Sequence, residues 1–233
     1  MAGEVAGGAR GLIDLRLDQD GAQLFPGAGT AMLLALKDWY ASAPSAPGTR
    51  ITQLGALGSF LTGSGPIAAV VTQLGGARMR PVRAIAFDKS PQSNWSLGWH
   101  QDRTINVAGR AEVEGYGPWT IKQGSPHVQP PFAVIAEMLT LRIHLDAVTP
   151  DNAPLQIALG SHRRGYIAES DVAAVVAESP QAACLAQPGD VWAYATPILH
   201  ASQRSRSTAR RRVLQVDFSS ADLPVPLEWA LRA

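Results

Sequence analysis

The stretch that decides the fold reads Thr-Leu-Arg-Ile-His-Leu-Asp and occupies residues 140–146. Polar and apolar side chains alternate along it, which is the two-residue period of a β-strand with one polar and one buried apolar face. The run at residues 211–218 alternates in the same way, and its parity separates Arg211, on the polar face, from Arg212, on the apolar face. We expect both strands to turn polar side chains toward a cavity while their other faces pack under helices.

Short β-type runs bounded by Gly, Pro, Asn and Asp continue through the chain from residue 79 onward. They lie at residues 81–87, 138–145, 155–159, 183–185, 191–194 and 211–218. So many short strands predict a sandwich or a barrel. The front of the chain, residues 1–78, is mixed. Its elements are a strand at 21–25 and helices at 28–41 and 67–74. We expect a single domain over residues 1–233, with a mainly β core at 79–220 and flanking helices.

The composition excludes several classes of function. Of the 233 residues 46% are hydrophobic and 17% are charged, with a net charge of +1, which is typical of a globular protein without the broad basic surface of a nucleic-acid binder. Cys184 is the only cysteine, so an intrachain disulfide is excluded. No apolar run approaches the ~18 residues of a membrane helix, and the first residues lack the apolar run of a signal peptide. We expect a cytoplasmic monomer or homodimer that binds neither nucleic acid nor membranes.

The tetrapeptide Trp99-His100-Gln101-Asp102 is the first candidate for chemistry. On an extended strand, residues i and i+2 project from the same face about 6.6 Å apart, so His100 and Asp102 are placed to converge on one metal. A second histidine, His200, follows a hundred residues later. Two histidines and one carboxylate are the ligands of the facial triad that holds non-haem Fe(II) and leaves positions open for oxygen chemistry. The His-x-Asp pair alone is a weak signal, because this triplet arises often by chance.

The segment after His200 adds a candidate for binding an organic acid. A turn at Gly189-Asp190 introduces one strand, and the short polar loop after His200 returns as the strand that begins near Arg211. The imidazole and the guanidinium therefore come from neighbouring segments. A guanidinium binds a carboxylate through two parallel hydrogen bonds, and the Ser202 hydroxyl supplies a further donor. The pattern favours an organic dicarboxylate as co-substrate.

The sequence resembles the phytanoyl-CoA dioxygenase family, a branch of the Fe(II)- and 2-oxoglutarate-dependent oxygenases. The resemblance covers about residues 80–220. It rests on Trp99 to Asp102, on Asp151 to Leu155 leading into Gly160-Ser161-His162, and on Gly189-Asp190 through His200-Ala201-Ser202 to Arg211. It implies a double-stranded β-helix core of the jelly-roll, cupin-like type.

The same resemblance implies the cofactors and their ligands. Iron would be bound by His100, Asp102 and His200, and the far carboxylate of 2-oxoglutarate by Arg211, which follows His200 by eleven residues. Ser202 matches the family's hydroxyl donor beside that arginine. Dioxygen is the remaining co-substrate, and succinate and CO2 are released. The intact Asp102 implies hydroxylation or a related oxidation, because halogenases on this scaffold replace the carboxylate by a small residue to admit halide.

Other polar residues near these motifs are weaker candidates. Those for holding 2-oxoglutarate are Asn94 and Thr140, and those for contacting substrate are Lys89, Gln101 and Arg142. A structural role is the alternative for each of them, as it is for the three remaining histidines, His127, His144 and His162. The loop from Val107 to Pro131 is long for a compact domain and predicts a lid over the site.

The sequence thus favours a dioxygenase that hydroxylates a C–H bond of a small molecule. Two alternatives stay open. One is a metal-dependent cupin-like isomerase or hydrolase that does not use 2-oxoglutarate, and the other is a non-catalytic jelly-roll binding module. The identity of the substrate, and whether it is free or bound to CoA or a carrier, stays open as well.

Overall fold

The computed structural model describes residues 14–43 and 46–231. The prediction made for the first residues, that they lack a signal peptide, falls almost wholly outside this part of the chain. The helices are α1 (Leu17–Asp20), α2 (Leu33–Ser42), α3 (Gly58–Leu61), α4 (Pro66–Gly75), α5 (Phe132–Ala136) and α6 (Val172–Glu178). The strands of the front half are β1 (Ala22–Phe25), β2 (Gly48–Ile51), β3 (Arg80–Lys89), β4 (Leu97–His100), β5 (Ile105–Asn106), β6 (Trp119–Lys122) and β7 (Ser125–Val128). Those of the second half are β8 (Leu139–His144), β9 (Leu155–Ala158), β10 (Gln181–Cys184), β11 (Val191–Ala195), β12 (His200–Ser202) and β13 (Arg211–Ser219).

Two antiparallel sheets form the core. The major sheet has the strand order β1-β11-β8-β13-β3-β2, and the minor sheet has the order β10-β9-β12-β4. From β8 onward the chain passes between them, because β9, β10 and β12 belong to the minor sheet whereas β8, β11 and β13 belong to the major one. This alternation is the winding of a jelly roll. The predicted double-stranded β-helix core is confirmed.

The two faces of the major sheet differ as the strand parity predicts. Leu141 and Ile143 of β8 and Leu214 and Val216 of β13 lie on the outer face, in one apolar cluster with residues of α2, α3 and α4. The inner face is polar. Across it, hydrogen-bonded strands place Arg142 opposite Gln215, Gln215 opposite Ile85 and Ile85 opposite Arg50. Residues that pair directly across strands point to the same side, so this row faces the minor sheet.

Apolar packing between the two sheets closes one part of the interior. Trp192 and Tyr194 of β11 pack there with Leu155 and Ile157 of β9, and all four are buried. The polar half of the interior is left as a cavity between β2, β3, β4 and β12.

The segment at residues 107–131, for which the sequence predicts a lid, contributes two strands to a small separate sheet. β5, β7 and β6 form it in that order, and the β6–β7 hairpin turns at Gln123-Gly124. We call residues 119–128 the lid hairpin. The side-chain amide of Gln123 donates a 3.0 Å hydrogen bond to the carbonyl of Gly48 in β2, so the tip of the hairpin is tied to the edge of the major sheet.

Most of the helices and strands predicted from the sequence are present in the structure, and their ends differ from the prediction by a few residues. The helix expected at 28–41 begins with a 3-10 turn at Thr30–Met32 and continues as α2, and the helix expected at 67–74 is α4. The edge strand β2 was not expected. In the described residues no single helix is long and apolar enough to cross a membrane, while the bent pair 55–61 and 66–75 passes that test only when taken together.

Candidate metal centre

Three side chains with metal-binding atoms meet where the minor sheet opens into the cavity. His100 ends β4 and lies directly opposite His200, the first residue of β12. Asp102 follows two residues after β4. One ligand atom from each of the three residues lies within 4.8 Å of the other two, and the two imidazole rings have centroids 4.3 Å apart. The convergence expected from the His-x-Asp spacing is therefore present in the structure.

Backbone carbonyls orient both imidazoles. The Nδ1 atom of His100 lies 2.8 Å from the carbonyl oxygen of Gly98, and that of His200 lies 2.9 Å from the carbonyl oxygen of Ile198. A carbonyl only accepts, so each Nδ1 carries a proton, and in the neutral ring Nε2 then has a lone pair for a metal. Burial, and next to it the neighbouring His100, lowers the pKa of His200 to about 4, which keeps that ring neutral.

Arg83 holds the carboxylate of the cluster. Its Nη2 donates a 2.7 Å hydrogen bond to Asp102, and its Nε donates to Asp217. Asp217 in turn accepts from the Thr140 hydroxyl at 3.1 Å. Burial by itself would raise the pKa of Asp102, but Arg83 and the two imidazoles outweigh it and lower that pKa below its ordinary value. Asp102 is thus an anion with one oxygen held in place.

Gln101, between the two ligands, points away from them. Its amide nitrogen donates to the carbonyls of Gly165 at 3.0 Å and Pro197 at 2.8 Å, and its oxygen accepts from the backbone of Ile167 at 2.9 Å. These bonds fix the turn that follows β4. The structure thus gives Gln101 a structural role, and since this residue also borders the cavity, the substrate contact suggested by the sequence stays a prediction.

The cluster opens into a cavity of about 430 Å³. Among the described residues, its lining contains six Arg and Lys side chains and one carboxylate. These are Arg50, Arg83, Arg103, Lys122, Arg142 and Arg211, with Asp102 as the acid. The apolar part of the lining includes Ile85, Phe87, Trp95, Leu97 and Leu155. A cavity with this lining suits an anionic ligand that also has an apolar portion.

Arg211 and Arg142 are both buried in it. Arg211 donates from Nη1 to the carbonyl of Ala153 at 2.7 Å, and Arg142 donates from Nη1 to Gln215 at 2.9 Å. The Nε atom of each is buried without a hydrogen-bond partner in the described residues. Burial, and then the charge of Arg142, lowers the pKa of Arg211 to about 9. Strand parity predicted the inward position of Arg211.

The remaining candidates for cofactor and substrate lie around this end of the cavity. Lys89, paired with Arg211 across β3 and β13, donates to the carbonyls of Trp95 and Gln203, both at 2.8 Å. It also lies 3.3 Å from the hydroxyl of Ser202, which lines the cavity. Lys89 is therefore fully engaged with the chain and holds the loop after β12.

The structure does not bring Asn94 or Thr140 to the cavity lining. The side chain of Asn94 makes two hydrogen bonds with the backbone of Ser205, at 2.9 and 2.8 Å, and so joins two loops. The Thr140 hydroxyl is occupied by Asp217 and by Thr196, which lies 3.0 Å away. For both residues the contact with 2-oxoglutarate suggested by the sequence is corrected to a structural role, because chain groups already take up their donors and acceptors.

The other three histidines lie outside the cluster. His162 packs against Gly21, and His127 is buried in the lid hairpin with its Nδ1 3.0 Å from the carbonyl of Ser125. His144 is buried on the inner face of β8, where burial and then Arg142 lower its pKa well below the ordinary value. The ring nitrogens of His144 have no partner in the described residues.

The donor set fits a divalent iron ion. Two neutral imidazoles and one carboxylate on one side of a metal are the facial triad of non-haem Fe(II) oxygenases, and a jelly-roll core carrying this triad defines that class of protein. A family model described as phytanoyl-CoA dioxygenase (PhyH) matches residues 66–213. The chain belongs to the phytanoyl-CoA dioxygenase family, and it is thereby an oxidoreductase of the Fe(II)- and 2-oxoglutarate-dependent class.

Solved structures support the fold. EctD from S. alaskensis in its apo form is 14% identical over 87% of this chain and 74% of its own, with a TM-score of 0.59. The 2-oxoglutarate-dependent epimerase SnoN from nogalamycin biosynthesis is 15% identical over 88% and 80%, with a TM-score of 0.61. HygX from Streptomyces hygroscopicus, with nickel and 2-oxoglutarate bound, is 13% identical over 87% and 84%, with a TM-score of 0.58. No curated protein sequence matches the chain.

Sequence reasoning missed four of the cations that line the cavity, namely Arg83, Arg50, Lys122 and Arg103. Arg83 was seen only as part of a strand, and its pairing with Asp102 and Asp217 depends on the register of β3 against β13. Arg50 lies on the unexpected strand β2, and Lys122 lies on the lid hairpin. The alternation of Arg83, Ile85 and Phe87 along β3 would have placed Arg83 on an inner face, but no pattern named its partner.

Proposed function

We propose that this protein is a dioxygenase that hydroxylates a C–H bond of a small-molecule substrate, with iron held by His100, Asp102 and His200. The observation that carries the proposal is that these three residues converge within 4.8 Å at the wall of a cavity that also contains Arg211. Bound iron, 2-oxoglutarate and dioxygen would together supply the oxidant for the C–H bond: 2-oxoglutarate would leave as succinate and CO2, one oxygen atom of dioxygen would enter succinate and the other the hydroxylated product, and the iron would stay bound. The chain's own residues orient, neutralise and shield these components.

Arg211 is the residue we assign to the far carboxylate of 2-oxoglutarate. Its guanidinium is fixed by the carbonyl of Ala153, which belongs to the Asp151-to-Leu155 motif, and its buried Nε has no partner. A buried donor without a partner costs about 1–3 kcal/mol, and a carboxylate that accepts from it removes this cost. The Nε atom of Arg142 is also buried without a hydrogen-bond partner, and Arg142 adds a second positive charge to the same end of the cavity.

The carboxylate ligand and the lid have separate tasks. Arg83 keeps one oxygen of Asp102 occupied, so that the other is left for iron. The lid hairpin brings Lys122 and Gln123 over the cavity and restricts the access of water. Exclusion of water strengthens the interactions of the arginines with bound anions, because the effective dielectric constant falls.

Hydroxylation is the outcome that we propose for the substrate. Asp102 occupies the carboxylate position, which disfavours halogenation for the reason given above. A structural relative described as an epimerase, SnoN, has the same fold, so product analysis is needed to separate C–H hydroxylation from other oxidations.

An anaerobic titration with Fe(II) and 2-oxoglutarate tests the proposal. We expect a metal-to-ligand charge-transfer band in the wild-type protein, no band in His200→Ala, and 2-oxoglutarate affinity weakened at least about tenfold in Arg211→Ala, which loses a charge-assisted pair. Arg206→Ala is the matched control, since this arginine is exposed and pairs only with Asp151 at the surface. The absence of any band in the wild type would refute the proposal, and unchanged affinity in Arg211→Ala would remove that residue from it.

A further inference from the structure

Five positive charges in or beside the cavity fall into two groups, whereas Arg83 is paired with Asp102 and Asp217 and Arg103 lies over the ring of Tyr166. Arg142, Arg211 and Lys89 make up the first, since the charge of Arg142 acts on the other two. Arg50 and Lys122 make up the second, which we call the rim pair. The charges that act on Arg50 come from Arg83, Asp102 and Asp217, and those that act on Lys122 come from Asp102, Arg83 and Arg50. The rim pair thus belongs to the surroundings of Asp102.

The register of the major sheet keeps the two groups apart. Arg50 of β2 and Arg142 of β8 lie in the same row of the inner face, with Ile85 and Gln215 between them. Three steps between neighbouring strands separate their backbones by roughly 14 Å. Side chains stand roughly perpendicular to a sheet, so the far carboxylate of 2-oxoglutarate at Arg211 does not neutralise the rim pair.

Arg50 has no anion of its own in the structure. Among the described residues it takes part in none of the ion pairs, and its Nε and Nη1 atoms are buried without a hydrogen-bond partner. Arg83, beside it, differs because Asp102 and Asp217 neutralise it. The guanidinium of Arg50 therefore keeps donors unused at the wall of the cavity next to the iron ligands.

The lid hairpin places Lys122 at the wall of the cavity, which Arg50 also lines. Lys122 donates to the Thr104 hydroxyl at 3.0 Å, and the next residue, Gln123, binds the backbone of Gly48, two residues before Arg50. The hairpin and β2 are thus fixed to each other at the point where the two cations line the cavity.

We propose that the rim pair binds an anionic group of the substrate, a carboxylate or a phosphate, while its apolar portion lies against the cavity wall. This inference rests on the proposed function, and it specifies the substrate as an organic anion that binds at the same time as 2-oxoglutarate. The anion holds the substrate at the edge of the major sheet. The C–H bond to be oxidised then lies within a short distance of that charge, because Arg50 is close to Asp102.

Two small probes test the inference on the protein loaded anaerobically with Fe(II) and saturating 2-oxoglutarate. Butyrate represents a carboxylate, inorganic phosphate represents a phosphate group, and 1-butanol is the uncharged control. Binding is measured by calorimetry and by the shift of the charge-transfer band. The variants are Arg50→Gln and Lys122→Gln, and the matched control is Arg78→Gln, whose arginine is exposed and pairs with Asp222.

We expect saturable binding of at least one anion, no binding of 1-butanol, and affinity weakened about tenfold or more in Arg50→Gln. The affinity for 2-oxoglutarate should stay within about twofold of wild type in that variant, which also shows that the variant folds. Binding of butyrate alone identifies a carboxylate substrate, and binding of phosphate alone identifies a phosphate ester.

Three results overturn the inference. They are the absence of saturable binding of either anion, equal affinities in Arg50→Gln and Arg78→Gln, and a loss of 2-oxoglutarate affinity in Arg50→Gln as large as in Arg211→Ala. The last result would assign Arg50 to the co-substrate. If the wild type shows no charge-transfer band, the proposed function fails independently of this inference. The anions are then titrated against the metal-free protein, where the inference still requires weaker binding in Arg50→Gln than in the wild type.

Discussion

Replacement of Arg83 by methionine should destabilise the protein strongly, because it breaks a buried ion pair from one side. The side chains of Arg83 and Asp217 are 8% and 2% exposed. Without the guanidinium, Asp217 keeps only the Thr140 hydroxyl at 3.1 Å and the Gln215 amide at 3.4 Å as donors. Removal of one partner of a buried pair costs about 3–5 kcal/mol. For a chain of this length, that corresponds to a decrease in Tm of roughly 6–20 °C.

The assay is urea and thermal unfolding of the metal-free protein at neutral pH, so that iron binding does not mask the change. Arg80→Met is the matched control on the same strand, since the pair of Arg80 with Asp222 is 42% and 78% exposed and should contribute no more than about 1 kcal/mol. The double variant Arg83→Met/Asp217→Asn removes the guanidinium and the more deeply buried of its two carboxylates, leaves Asp102, whose side chain is 20% exposed, and should recover part of the stability. If Arg83→Met costs no more than Arg80→Met, or if the double variant is as unstable as the single one, the reasoning is refuted.

The pH dependence of the single variant gives a second check with a defined sign. Burial raises the pKa of Asp217 above its ordinary value even though Arg83 opposes it, and loss of Arg83 raises that pKa further, so the native variant binds more protons than the unfolded chain over a wider pH range. The loss of unfolding free energy in the variant is therefore largest above the folded-state pKa of Asp217 and becomes smaller as the pH falls through that pKa. The difference in unfolding free energy between wild type and Arg83→Met should be smaller at about pH 5 than at about pH 8.

Three further outcomes are expected. Burial, and then Arg211, lowers the pKa of Lys89 to about 7, and a bound dianion raises this pKa again. Binding of 2-oxoglutarate should therefore take up protons, and its affinity should weaken as the pH rises through about 7. Calorimetry in two buffers measures this uptake, and equal uptake in Lys89→Met would contradict the prediction. Gln101→Leu removes three hydrogen bonds and should cost about 1–3 kcal/mol in urea unfolding, clearly more than Gln92→Leu at an exposed position. Gly21→Ala should destabilise because its φ is +81° and the new Cβ would lie 2.3 Å from Nδ1 of His162, so His162→Ala added to it should leave only the backbone strain of roughly 1 kcal/mol.

The parts of the site that could be predicted are those set by local periodicity. The alternation in β13 determines which of three adjacent arginines faces inward. The spacing of His100 and Asp102 places both side chains on the same side of the chain. Each of these inferences needs only the direction of side chains along a single strand. The jelly-roll core follows from the number of short strands together with the resemblance of the motifs.

The parts that could not be predicted depend on register between distant strands. Asn94 and Thr140 are polar residues close to the motifs, yet their hydrogen bonds go to Ser205 and Asp217, more than seventy residues away in the sequence. Arg50 is brought to the cavity because β2 pairs with β3, which no local pattern indicates. Proximity in sequence to a motif is therefore a weaker guide to the cavity lining than the face of the strand on which a residue lies.

The arginines of the cavity separate by their partners into structural and ligand-binding residues. Arg83 is buried with two carboxylates, and its cost of desolvation is offset within the chain. Arg142, Arg211 and Arg50 are held by neutral groups or by none, and each keeps a buried Nε without a partner. Burial of such uncompensated charges is costly. An anionic ligand that binds only the folded state neutralises the charges and stabilises the folded protein. The unpaired arginines thus lie at the two places where we propose that anions bind, and iron, a cation, accounts for neither of them.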